Sequence, residues 1–293
     1  MKKIFVFICL FMLNACIVNA ETFYINKNGS ELTKQQYDYL IQYYDYDFLD
    51  NMKKETLDDI KNWNDDSIEK NEKYILIDTY YDFFGNVLNS SETVVDAVDV
   101  PSILKSSMLR ATSDTHTTTM KKITLTISRD GTTGNYYSVL TNLWLGIPKV
   151  KSNDVIALRF VGATNKNLSI VYSMSEAHQF SDNTNKLYSI CPQTSCSETK
   201  LVHNNATTGG VGVSMDIYDS TSSSLKNTLA VYVRMDSSFL VAEGTYQHAT
   251  KPISLANSKK YSFSATGLGN VLNFQSNYGS YYDGMQGVSV RYN

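Results

Sequence analysis

Lys121–Ser128 reads KKITLTIS, and within it Ile123, Leu125 and Ile127 alternate with Thr124, Thr126 and Ser128. A period of two puts the apolar side chains on one face of an extended chain and the hydroxyls on the other, as in a strand with one face in a core. The same period returns down the chain. In DVIALRF, Ile156, Leu158 and Phe160 share a face, with Arg159 opposite. Leu168, Ile170 and Tyr172 follow, then Val211, Val213, Met215 and Ile217, then Leu229, Val231, Val233 and Met235. Tyr261, Phe263 and Ala265, then Leu272 and Phe274, then Val288 and Val290 complete the series. Turn formers fall between them at Asp130-Gly131, Gly134-Asn135, Gly209-Gly210, Gly267 through Gly269 and Asp283-Gly284. About ten such strands without a long helical pattern between them predict an antiparallel β-sandwich over residues 120–293, with a closed β-barrel as the alternative.

Upstream the character changes. Residues 101–119, PSILKSSMLRATSDTHTTT, are rich in Ser and Thr without a period and read as a linker. Residues 21–100 form an acidic α+β segment: from Glu21 to Asp99 there are 18 acidic and 7 basic residues, against 11 acidic and 17 basic from Val100 onward. In this segment Thr33 and Gln36 have the spacing of a capping box, and Tyr37, Leu40, Ile41 and Tyr44 recur at helical spacing. Phe48, Leu49 and Met52, then Leu57, Ile60 and Trp63, continue in short helical pieces. KYILIDTYYDFFGNVLNSSETVVDAV then reads as two strands around a turn at Gly85-Asn86.

The first twenty residues set the compartment. Lys2 and Lys3 precede an apolar run from Ile4 to Leu13, too short for a membrane span of roughly 20 residues, so 1–20 reads as a secretory signal peptide cleaved after Val18-Asn19-Ala20. Leu13-Asn14-Ala15-Cys16 is the alternative, a lipid anchor at Cys16, which Asn14 fits poorly. No later stretch reaches bilayer length. Export leaves Cys191 and Cys196 as an even pair in an oxidising compartment, and the expected state is a disulfide closing a six-residue loop, worth roughly 2 kcal/mol. Pro192 suits a turn there. A zinc site would need two further ligands, which none of the four histidines supplies at a recognisable spacing.

No catalytic constellation emerges. GVGVSMD lacks the second glycine of a nucleophile elbow, and its alternation puts Ser214 on the polar face of a strand. His116, His178, His203 and His248 lie in polar contexts and read as solvated or hydrogen-bonded surface residues. DYDFLDNMKKET from Asp45 fails as a calcium loop, with Leu49 where an oxygen ligand belongs and Asp50 where the glycine belongs. Neither a phosphate-binding glycine loop nor a strongly basic stripe is present, so nucleotide and nucleic-acid roles lack support and no cofactor is implied.

Binding has more support. Tyr278, Tyr281 and Tyr282 sit among glycines and asparagines in SNYGSYYDGMQG, and Tyr136-Tyr137 form a second group; both are candidate ligand contacts of the aromatic kind that grips sugars or proteins. Trp144 reads as a core or edge plug. TTGGVGVSMDIYDSTSSSLKNTLAVYVRM has the look of an amphipathic hairpin, which a membrane-inserting stem would share. The run Glu31-Leu32-Thr33, Gln36-Tyr37, Leu40, Phe48-Leu49 and Met52 resembles an N-terminal pattern of uncharacterised secreted proteins of low-GC Gram-positive bacteria. That resemblance implies export and carries no activity with it. The expected function is therefore a secreted or surface-associated binding module for an extracellular glycan or protein. A secreted hydrolase with a site assembled from dispersed acids and histidines is the alternative, and a β-hairpin pore the lesser one.

Overall fold

The computed structural model describes residues 21–62, 68–84, 86–110, 116–129, 135–146, 148–161, 169–180, 185–191, 199–204, 208–217, 222–234, 240–264, 271–284 and 286–292. The chain divides into two compact units, Met1–Asn64 and Asp65–Asn293.

In the first unit β1 (Thr22–Ile25) pairs antiparallel with β2 (Glu31–Thr33), and α1 (Lys34–Leu40), α2 (Tyr46–Asn51) and α3 (Lys54–Ile60) follow. The capping box forms as its spacing predicts: the Thr33 hydroxyl accepts the Gln36 N–H, and the Gln36 side chain accepts the Thr33 N–H. Asp45 accepts the Phe48 N–H and so caps α2. Leu32, Leu40, Leu49, Leu57 and Ile60 make the small core. The Asn26 amide ties the β1–β2 turn to it by donating to the Leu49 and Met52 carbonyls.

The second unit is the sandwich. β3 (Ile68–Tyr81) and β4 (Val87–Val95) precede α4 (Val100–Arg110). Then come β5 (His116–Arg129), β6 (Asn135–Trp144), β7 (Asn153–Val161), β8 (Ser169–Phe180), β9 (Asn185–Cys191), β10 (Thr199–Asn204), β11 (Thr208–Asp216), β12 (Ser222–Arg234) and β13 (Leu240–Gln247). A short α5 (Leu255–Ser258), β14 (Tyr261–Phe263), β15 (Leu272–Phe274), a 3₁₀ turn (Gly279–Tyr281) and β16 (Gly287–Tyr292) complete it. One sheet runs β4-β3-β5-β6-β12-β8-β9 and the other β10-β11-β7-β13-β16, with antiparallel neighbours throughout. Each sheet keeps two edges, so the sandwich, not the barrel, is the architecture. Ile123, Leu125 and Ile127 meet Leu140, Leu229 and Val231 of their own sheet and Ile156, Leu158, Val211 and Val213 of the other in one core, as the alternation requires.

The hairpin β3–β4 does not belong with the acidic helices. β3 pairs with β5 over its whole length, from Ile68↔Ser128 to Tyr80↔His116, so the division falls at Asn64 and not near residue 100. Of the expected linker 101–119, residues 101–110 lie in α4 and residues 116–119 in β5. Pro101 sits in the first turn of α4, where its missing N–H costs nothing, and the β-branched run Thr117–Thr119 is the beginning of β5. Nor do β11 and β12 form a hairpin: β11 lies in the five-stranded sheet and β12 in the seven-stranded one, so the two strands of the stretch read as a possible membrane stem are not paired with each other.

The five-stranded sheet is covered on both faces. Its Ile156 side faces the main core, while Val155 and Ala157 pack with Ala249, Ile253, Tyr261, Phe263, Val271, Leu272 and Tyr282. Gly210 and Gly212 admit this layer, since a Cβ at either would run into the ring of Phe263 or Tyr261. Arg159, opposite the apolar row as read, is therefore buried and pairs with Glu243 across β7–β13 while donating to the Ser264 carbonyl. Gly209-Gly210, a turn signal by sequence, lies inside β11, with Gly210 against the Phe263 ring.

Candidate functional site

The tyrosine candidates separate. Tyr136 is 0% exposed in the sandwich core, its ring edge-on to Tyr292, and Tyr137 is buried on the opposite face of β6. Neither reaches a ligand, because β6 lies inside the seven-stranded sheet between β5 and β12. Tyr278, Tyr281 and Tyr282 do come together. Tyr282 is buried and stacked on Phe274 at 4.1 Å, whereas Tyr278 and Tyr281 are half-buried against the same layer, with Lys260 and Lys251 over their rings. Their first role is to close the outer face of the five-stranded sheet. Cys191 ends β9, but Cys196 and the pairing expected of the two lie outside the described residues, as do residues 1–20 with Cys16. The side chains of His178 and His203 lie outside them too.

Among the described residues, the two most exposed aromatic rings sit elsewhere, on the β3–β4 hairpin. Asp82 builds its tip: one carboxylate oxygen accepts the Phe84 and Asn86 N–H groups at 2.9 and 2.7 Å, and the other accepts the Asn86 amide at 2.8 Å. The turn so fixed holds Phe83 and Phe84 outward, 94% and 86% exposed, their rings at 84° to one another. Leu88 and Tyr80 on the same hairpin are also exposed, and Tyr80 stacks at 4.4 Å on His116, whose Nε2 meets Asp78 at 3.1 Å. β4 is an edge strand, with one backbone side turned away from the sheet. The hairpin is legible in the alternation of its strands, and its exposed surface is not. DFFGN, two aromatics inside a turn where polar residues are usual, was the signal.

A second constellation is enclosed. Because Ile123 points inward, so does Lys121 two residues before it, and the side chain is fully buried. Its Nζ donates to Glu92 Oε1 at 2.7 Å, to Asp283 Oδ2 at 2.7 Å and to the Tyr246 carbonyl at 3.2 Å, which uses all three protons. Glu92 comes from β4 and Asp283 from the loop before β16. Asp283 is held from the other side, where Oδ1 accepts the His248 N–H at 2.9 Å and its own N–H donates to the His248 carbonyl. Gly284 lets Glu92 lie close, since a Cβ there would stand 3.1 Å from its Oε2. Burial pushes the Glu92 carboxyl up to about 8, the neighbouring Asp283 adding to the push and Lys121 only partly opposing it. For Lys121 burial pulls downward, and the two carboxyls outweigh it, so the ammonium is held above its ordinary range.

His248 is buried, not at the surface. Its Nδ1 meets both Asp154 oxygens at 3.1 and 3.0 Å, Tyr246 donates its hydroxyl to Asp154 at 2.7 Å, and the Trp144 ring lies edge-on to the imidazole. Trp144 is thus the core plug its sequence context predicts. Lys121, Glu92 and Asp283 carry no motif that marks them as a cluster. Carrying the alternation of Ile123 and Leu125 back by one step would have placed Lys121 inside.

No family model matches the chain, and no curated protein matches it. Among solved structures, it is similar to the C-terminal domain of the Streptococcus agalactiae AgI/II polypeptide BspA, at 9% identity over 61% of this chain and 86% of that one, with a TM-score of 0.26. The C-terminal domain of the Streptococcus pyogenes antigen I/II-family protein AspA aligns at 11% identity over 64% and 88%, with a TM-score of 0.29. The full-length major pilin SpaD of Corynebacterium diphtheriae aligns at 7% identity over 61% and 55%, with a TM-score of 0.24. At these scores the likenesses assign no function.

Proposed function

We propose that the protein is an exported, surface-associated β-sandwich that binds an extracellular partner, a protein or a glycan, through the β3–β4 hairpin. The observation that carries this reading is the pair Phe83 and Phe84, held outward by a turn that the Asp82 carboxylate fixes with three hydrogen bonds. Covering one such ring is worth about 1.5–3 kcal/mol, and nothing within the hairpin uses it. The free side of β4 beside it offers backbone groups to an extended segment, the mode in which strands add to a sheet edge. A protein partner therefore suits the surface better than a sugar, which would be met by a flat ring flanked by polar groups. The basic and apolar leader, residues 1–20, supports export.

The enclosed Lys121 and His248 clusters do not favour the hydrolase reading, since their ionisable groups are shielded from any substrate in solution. The test is capture of extracellular proteins and glycan arrays by the wild type and by a Phe83→Ser/Phe84→Ser variant. Binding by the wild type, reduced about 100-fold or more in the variant at unchanged thermal stability, is the expected result. Equal binding by both proteins would remove the hairpin from the reading, and no binding by the wild type would remove the reading itself.

A further inference from the structure

We propose that the Lys121 and Asp283 side chains are joined by an amide bond that the folded protein makes by itself, with Glu92 moving the protons. Three observations carry this. First, Nζ lies 2.7 Å from Asp283 Oδ2, so the carboxyl carbon is one C–O bond beyond a hydrogen-bond contact, close to near-attack range of about 3–3.5 Å. Second, the second oxygen of Asp283 accepts the His248 backbone N–H, a fixed donor aimed at the atom where negative charge gathers when the carbonyl is attacked. Third, all three side chains are buried to 2% exposure or less, so the reaction that water would oppose takes place where water is excluded. Glu92, shifted toward its protonated form by burial, is the available acid.

The step balances within the cluster. The ammonium passes a proton to the Asp283 carboxylate, leaving a neutral amine and a neutral acid. The Nζ lone pair forms the bond to Cγ as the carbonyl electrons move onto Oδ1. Glu92 then protonates the departing hydroxyl and takes a proton from the nitrogen. The C–O bond breaks, water leaves, and the carbonyl re-forms with Glu92 again protonated. One ammonium and one carboxylate become one amide and one water, and no outside reagent is needed.

Lys121 lies in β5 and Asp283 just before β16, 162 positions apart, so the bond would close every strand from β6 to β15 in a covalent loop. A surface protein exposed to proteases and shear gains directly from such a closure. The bond is independent of the binding role: Phe83→Ser/Phe84→Ser should alter capture and still weigh one water less than its own sequence.

The test is mass spectrometry of the full chain, reduced and denatured after the folded protein has stood at neutral pH. The expected result is a protein one water lighter than its sequence, with a tryptic peptide containing Lys121 attached to one containing Asp283. Peptide mapping makes the reading independent of where the leader is cut. Glu92→Gln, which keeps the size and hydrogen bonding of the acid, should fold with an unchanged near-ultraviolet dichroism spectrum and stay at full mass. A folded wild type at full mass overturns the bond, and a link to Glu92 in place of Asp283 overturns its assignment. A linked Glu92→Gln at wild-type yield removes Glu92 from the chemistry.

Discussion

The two units each contain a cluster of three charged groups, built as near inverses. On α3, Asp58 lies between Lys54 at 3.0 Å and Lys61 at 2.8 Å, with every member open to solvent. In the sandwich, Lys121 lies between Glu92 and Asp283 at 2.7 Å each, with every member enclosed. The carboxyls respond in opposite directions. The hydrogen bond from Lys61, then that from Lys54, holds Asp58 down at about 2, whereas burial lifts Glu92 to about 8 against the pull of Lys121. Distances are alike, so distance is not what sets the sign. Where water remains, opposite charge decides; where it is expelled, the loss of hydration outweighs an ammonium in contact.

The largest effect should come from removing the central charge in each cluster and comparing the losses. Lys121→Met leaves two buried acids without their cation and should cost about 3–5 kcal/mol, with any side-chain amide lost as well. Lys61→Met leaves Asp58 in water beside Lys54 and should cost less than about 1 kcal/mol. Urea midpoints of the two variants, followed by near-ultraviolet dichroism, give the ratio. Similar losses would mean that the sandwich cluster is wetter than its burial shows.

What the sequence disclosed divides along the same line. Where one face of a strand meets a core and the other meets water, a period of two is written in the residues, and β5, β7, β11 and β12 were all legible. β13, LVAEGTYQ, was not. Its inward residues are Ala242, Gly244 and Tyr246, two of them small because Leu140 crowds Gly244, and its other face carries Glu243, buried beneath the outer layer. A polar residue facing a third layer reads as one facing solvent, which is also why Arg159 and Ser214 read as the polar side of their strands and His248 as a surface residue. Lys121 was hidden by its own charge, since a lysine at the end of an alternating row is ordinarily taken for the strand's wet end. Tyr136 and Tyr137, adjacent to the turn signal Gly134-Asn135, read as candidate ligand contacts, and only the pairing of β6 with β5 and β12 shows them inside the sheet.

A pH series sharpens the contrast with the next largest effect. Glu92 carries a folded value raised above its ordinary 4.5, so the folded state binds the extra proton between about 4.5 and about 8. Its contribution is present below that window and is lost as pH rises through it, on the order of a few kcal/mol. The direction is that of burial, and it holds whether Lys121 is an ammonium or an amide. Asp58 runs the other way: its folded value lies below its ordinary 3.8, so its contribution is present above that value and is lost as pH falls toward 2. The difference in unfolding free energy between wild type and Glu92→Gln, measured from pH 4.5 to 8, should shift steadily against the wild type. A flat difference would show that Glu92 is ionised throughout and reached by water.

Salt gives the smallest effect and the cleanest separation. Raising the ionic strength to about 1 M shortens the screening length to about 3 Å, which reaches groups in water and not groups in a dry core. The Lys54–Asp58–Lys61 cluster should lose most of its contribution, so that Lys61→Met and wild type converge to within about 0.3 kcal/mol in concentrated sodium chloride. The penalty of Lys121→Met should stay the same between dilute and concentrated salt, because what it exposes is an uncompensated charge that no counterion can approach. If that penalty also shrank, ions would have to be entering between β4 and the loop before β16. The enclosed cluster would then differ from the one on α3 in degree only.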